Sequence, residues 1–121
     1  MGKKVLIVDD STSMRQLVSF ALTDAGYEVV AAVNGKDALD KINTSKVDMV
    51  VTDLNMPEMD GIEFIRQFRT KAGYRFTPVI MLTTESQESK KQEGKQAGAS
   101  GWIVKPFTPE QLTDTVRKFV K

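Results

Sequence analysis

Three aspartates, a threonine and a lysine stand where they could share one piece of chemistry. Asp9 and Asp10 follow the run VLIV, Asp53 ends the run MVVTD, Thr83 follows VIML and Lys105 follows WIV. Three carboxylates within a few ångströms repel one another and raise each other's pKa unless a cation joins them. Carboxylate, carbonyl and water oxygens suit Mg²⁺, which prefers octahedral oxygen ligation and keeps several waters. A carboxylate beside Mg²⁺ can act as a nucleophile toward phosphorus and form an acyl phosphate. The metal and a lysine would neutralise the transferring phosphoryl oxygens, and Thr83 can donate a hydrogen bond to one of them.

Each residue also has a plainer reading. Asp9-Asp10 could be a turn and helix-entry pair, Asp53 and Thr83 could be caps, and Lys105 could be one more surface charge. The conjunction favours a site, because four strand ends each deliver a polar type that one site needs.

The elements that would position these residues can be read from apolar periodicity. Val5–Val8 is a short β-branched run, as a strand buried on both faces requires. Ser13 is expected to cap a helix over roughly 14–25, with Leu17, Phe20, Ala21 and Leu22 at helical spacing and Gly26 as the stop. Glu28–Ala32 reads as a strand and Gly35–Ile42 as a short helix. Asp48–Thr52 reads as a third strand, ending at Asp53. After the loop LNMPEMDG, a helix runs from Gly61 to about Thr70, with Ile62, Ile65 and Phe68 inward. Pro78–Leu82 is a strand opened by proline. The segment 86–97 is helical by position but polar. Trp102–Val104 is a short strand, and Pro109–Val120 a helix with Thr108 as N-cap and Pro109 at its first position.

Strict β-α alternation implies an α/β fold with a parallel sheet and helices on both faces. Ligands of such sheets bind beyond the carboxyl ends of the strands, where all five polar residues fall. The length of 121 residues fits one domain, 1–121, with no output domain expected.

Composition removes other classes. A net charge of +1 argues against a general nucleic-acid binder. There is no cysteine and no histidine, which excludes thiolate chemistry, a Ser/His/Asp triad and a His-ligated zinc site. No run approaches the roughly 20 apolar residues of a membrane span, and the opening run is too short for a signal peptide. A soluble, cytoplasmic chain is expected, with neither membrane nor nucleic acid as partner.

VLIVDDS, VVTDLNMPEMDG, PVIMLTTE and AGASGWIVKPF together resemble the receiver domains of two-component response regulators. The motifs run in the family's order and spacing over the whole chain. They are most similar to the stand-alone chemotaxis type, above all in NMPEMDG and GASGWIVKPFTPEQL. The resemblance implies a flavodoxin-like (βα)5 three-layer sandwich with strand order 2-1-3-4-5. It implies Asp53 as phosphoacceptor, Asp10, Asp53 and the Asn55 carbonyl as direct Mg²⁺ ligands, and Asp9 acting through a metal-bound water. Lys105 would pair with the Asp53 carboxylate or its phosphate. The bond to Pro106 would be cis, against the base rate for X-Pro bonds. Thr83 and the aromatic at position 102 would form the switch that remodels the face of the fourth helix, fifth strand and fifth helix. Asn55 and Glu85 would tune phosphate loss. The implied partners are a CheA-like histidine kinase, a flagellar motor switch protein or other target, and a phosphatase, with the chain a monomer.

Two features depart from the family's pattern. The switch aromatic is Trp102, larger than the usual Tyr or Phe and harder to bury completely. The fourth helix is polar around Lys91, and Gly94 there costs roughly 1 kcal/mol relative to alanine. A phosphorelay intermediate or phosphate sink would use the same site. An aspartyl-phosphate hydrolase of the haloacid-dehalogenase type is disfavoured, because strand one ends in adjacent acids rather than D-x-D and no cap insertion holds a substrate. A nucleotide or flavin module is disfavoured because DDSTS replaces any glycine-rich phosphate loop. An enzyme in the ordinary sense is therefore not expected.

Overall fold

The computed structural model describes residues 3–84 and 88–120. Its elements are β1 (Lys4–Val8), α1 (Thr12–Asp24), β2 (Glu28–Ala32), α2 (Gly35–Lys41), β3 (Met49–Asp53), α3 (Gly61–Arg69), β4 (Val79–Thr84), α4 (Glu88–Ala97), β5 (Gly101–Lys105) and α5 (Pro109–Phe119). All strand pairings are parallel, in the order β2-β1-β3-β4-β5. This is the flavodoxin-like order that the resemblance implied.

The β-branched runs are continuous because the sheet is buried on both faces. Alternate residues feed separate cores, as the strand period of two requires. Leu6, Val8, Val50, Val79 and Met81 pack with Ala38 of α2 and Ile62, Phe64, Ile65 and Phe68 of α3. Val5, Ile7, Met49, Val51, Ile80 and Leu82 pack with Val18, Ala21 and Leu22 of α1 and Leu112 and Val116 of α5. The chain thus leaves β1 toward one face and β3 toward the other. The neighbouring carboxyl ends of β1 and β3 therefore border a crevice, the switch point of an open α/β sheet.

Side-chain caps fix where the helices begin. Asn34 Oδ1 accepts from Asp37 N–H at 2.8 Å, and Asp60 Oδ1 from Glu63 N–H at 2.9 Å. Thr108 and Gln111 form a reciprocal capping box with Pro109 at the first turn of α5. The expected cap of α1 is corrected: Ser11, not Ser13, accepts from Met14 N–H, and the helix starts two residues earlier. Its buried stripe is Val18, Ala21 and Leu22, with Leu17 40% and Phe20 74% exposed. Gly26 and Gly98 follow the two helix ends at φ of 99° and 115°, where glycine alone is unstrained.

Candidate functional site

The rim over β1 and β3 collects the acids. Asp9, just past β1, is fully buried, Asp53 ends β3 at 6% exposure, and Asp10 is exposed. One carboxylate oxygen from each lies within 4.8 Å of the others. At an effective dielectric constant near 20, unit charges 4 Å apart repel by about 4 kcal/mol, so the trio needs compensation. Some comes from Lys105, whose Nζ donates to Asp53 Oδ1 at 3.0 Å. Leu54 N–H donates to the same oxygen at 2.9 Å. The Lys105–Pro106 peptide bond is cis.

Asp9 carries the remaining strain. Its Oδ1 accepts from Ser11 N–H at 2.8 Å, but its Oδ2 is buried with no partner. Burial pushes the Asp9 carboxyl above its usual range, and the charges of Asp53 and Asp10 push the same way. The Ser11 bond and the Lys105 charge only partly oppose them. Thr83, in β4 beside Val104 of β5, is the other such case, 1% exposed with an unpartnered Oγ1. β4 continues two residues further than its apolar run, to Thr84, so Thr83 lies inside the strand rather than at its end. Leaving a buried polar atom unpaired costs roughly 1–3 kcal/mol. Among the described residues only these two side-chain atoms are so left, and both belong to the expected site.

The set fits a hard divalent cation: three carboxylates within ligand reach, all oxygen donors, one with a buried oxygen lacking any partner. Asn55 lies in the exposed loop two residues past Asp53, and Glu85 falls outside the described residues. Trp102 of β5 is 39% exposed, with Lys91 Nζ of α4 5.2 Å from its ring centroid.

Sequence reading missed two residues that shape the rim. Gly61 N–H donates to Leu54 O at 2.9 Å, and a Cβ at position 61 would collide with the Asp53 carbonyl oxygen. Only glycine lets α3 begin flush against the end of β3. The motif PEMDG contained the signal, but its glycine reads equally well as a plain helix start. Arg15, in the first turns of α1, reaches back to the Asp9 carbonyl at 2.7 Å. A lone arginine after a strand end carries no such message in sequence.

Residues 5–117 match the family described as response regulator receiver domain. The chain is 39% identical over 116 residues to the chemotaxis protein CheY of Pseudomonas aeruginosa, covering 95% of this chain and 94% of that one. It is 36% identical over 121 residues to the alkaline phosphatase synthesis transcriptional regulatory protein PhoP of Bacillus subtilis, and spans half of that protein's length. The solved structure of the Vibrio cholerae chemotaxis protein CheY4 superposes with a TM-score of 0.96 at 51% identity, covering 99% of this chain and all of that one. Among the described residues no helix is long and apolar enough to cross a membrane.

Proposed function

Because the chain belongs to the response regulator receiver domain family, we propose that it is a phosphorylation switch in which Asp53 accepts a phosphoryl group from a histidine kinase. One observation carries this reading: the two buried, unpartnered polar atoms, Asp9 Oδ2 and Thr83 Oγ1, belong to the same strand-end rim as the Asp53 carboxylate. One would face a cation, the other a phosphoryl oxygen.

Asp9, Asp10 and Asp53 would hold Mg²⁺, with the Asn55 carbonyl as a further ligand. Bound there, the ion supplies charge neutralisation for the transferring phosphoryl oxygens. Both hydrogen bonds found at the Asp53 carboxylate fall on Oδ1, which leaves Oδ2 as the nucleophile. A new bond forms between Oδ2 and phosphorus as the donor's P–N bond breaks. The electron pair leaves with the donor imidazole, which takes up a proton. Lys105 shifts from the carboxylate to a phosphoryl oxygen, and Thr83 donates to another. These donors act where negative charge accumulates.

The readout passes through β4 and β5. Thr83 lies two residues beyond Met81, which is in register with Trp102. Thr83 drawn to the phosphate vacates space behind it, and Trp102 turns inward. Contacts made only in the phosphorylated state bias an equilibrium that exists beforehand. The altered face of α4, β5 and α5 would then bind a target. Near full-length similarity to the two chemotaxis proteins supports a flagellar motor switch as that target and a cytoplasmic setting.

Trp102 is the only tryptophan, so a fluorescence change can be assigned to position 102. Mg²⁺ followed by beryllofluoride, a stable mimic of the aspartyl phosphate, should give a saturable change that Asp53→Asn abolishes. A change of equal size in Asp53→Asn contradicts the reading.

A further inference from the structure

We infer that Arg15 is a positioning residue for the Asp9–Asp10 pair, one that sets how tightly the rim takes up a divalent cation. The inference rests on the metal reading above. β1 ends at Val8, so the peptide unit joining the two acids lies beyond the ladder that pairs Val8 with Thr52. Rotation of that unit would swing the exposed Asp10 carboxylate across the rim.

Besides the Ser11 N–H bond to the Asp9 carboxylate, two bonds hold the backbone of this segment, the first continuing the ladder to β2. Asp9 N–H donates to the Ala32 carbonyl at 3.2 Å, and Arg15 Nη1 donates to the Asp9 carbonyl at 2.7 Å. The arginine is itself fixed, with Nη2 donating to Thr12 Oγ1 at 3.2 Å and its backbone N–H to the Ser11 carbonyl at 3.0 Å. A guanidinium offers several donors in one rigid plane, so it holds two acceptors in a constant relation.

Charge and geometry act here with opposite sign. The guanidinium repels a divalent cation, so a role through its field alone means that removing it tightens binding. A role through the Asp9 carbonyl means that removing it loosens binding, although a repelling charge has gone. A purely structural role moves the melting temperature and leaves Mg²⁺ affinity unchanged.

Calorimetric titration with Mg²⁺ alone decides among these, on the unmodified chain, Arg15→Gln and Arg15→Lys, with thermal unfolding of each. Arg15→Gln should weaken Mg²⁺ binding on the order of tenfold, the scale of losing a support behind a metal ligand. Arg15→Lys keeps the charge and a single donor point, and should recover part of the affinity. Equal or tighter binding by Arg15→Gln overturns the inference while leaving the metal reading intact. If Arg15→Gln does not fold, Arg15→Lys carries the test: weaker binding at unchanged charge supports the inference, and equal binding overturns it. An unmodified chain that takes up no Mg²⁺ overturns the metal reading and this inference together.

Discussion

The Lys105 ammonium lies 3.0 Å from Asp53 Oδ1, and its charge also reaches the buried Asp9 carboxylate. One side chain thus compensates the acid cluster at rest, and in the proposed switch it would follow negative charge onto a phosphoryl group. Lys105→Gln should therefore act twice. It should lower stability by about 1.5–3 kcal/mol, the size of a hydrogen bond to a charged group, as seen in urea unfolding. It should also slow phosphorylation by acetyl phosphate roughly 10²–10³-fold, as loss of a donor at developing charge does. A near-normal rate would show that the ammonium serves the resting state alone.

Asp9 pulls stability and function apart. Its carboxylate is buried, faces two like charges and has one oxygen without a partner. Asp9→Asn removes that charge and should stabilise the metal-free chain by ~0.5–2 kcal/mol, the size of a commonly found stabilising change. The same variant should lose most of its Mg²⁺ affinity. Unfolding midpoints with and without Mg²⁺ read both effects, and a destabilised metal-free variant would contradict the account.

Asp37 gives a pH dependence of the opposite origin. Burial alone would raise its pKa, but Lys41, the Val33 N–H and the Arg15 charge together hold the carboxyl below 3.8. The group is lowered on folding, so its contribution is fully present above the unfolded value of 3.8 and fades as pH falls through the lower folded value. Both partners are partly exposed, which limits the contribution to less than about 1 kcal/mol. The stability gap between the unmodified chain and Asp37→Asn should close on acidification through that window. A gap that widens would reverse the sign.

Gly94 separates helix propensity from packing. Propensity alone favours alanine there by about 1 kcal/mol. Yet Gly94 is buried, and a Cβ on it would run into the thioether end of Met81, a fully buried β4 side chain. Overpacking a core costs typically 1–3 kcal/mol. Gly94→Ala should thus be neutral or destabilising by up to about 2 kcal/mol, and trimming Met81 to Val should relieve part of that loss. A clear gain in melting temperature for Gly94→Ala would show that Met81 moves aside freely.

Gly94 also marks where sequence reading stops. The strands were legible because a sheet buried on both faces needs uninterrupted apolar runs, and Val5–Val8 and Val79–Leu82 provide them. The rim was legible because strand ends in such a sheet point one way, so Asp9, Asp10, Asp53 and Lys105 could be placed without knowing any contact. Partners set by close approach were not legible. In α1 the apolar period ran through Leu17 and Phe20, yet packing buries Val18, Ala21 and Leu22 and leaves Phe20 outside. Gly61 against Asp53, Gly94 against Met81 and Arg15 on the Asp9 carbonyl are contacts between segments, which no local pattern encodes.

The most direct test of the central claim is the intact mass of the chain after incubation with acetyl phosphate and Mg²⁺. The account predicts addition of a single phosphoryl group to the unmodified protein, none when Mg²⁺ is chelated and none in Asp53→Asn. Unchanged mass under all conditions, or equal labelling of Asp53→Asn, would contradict it.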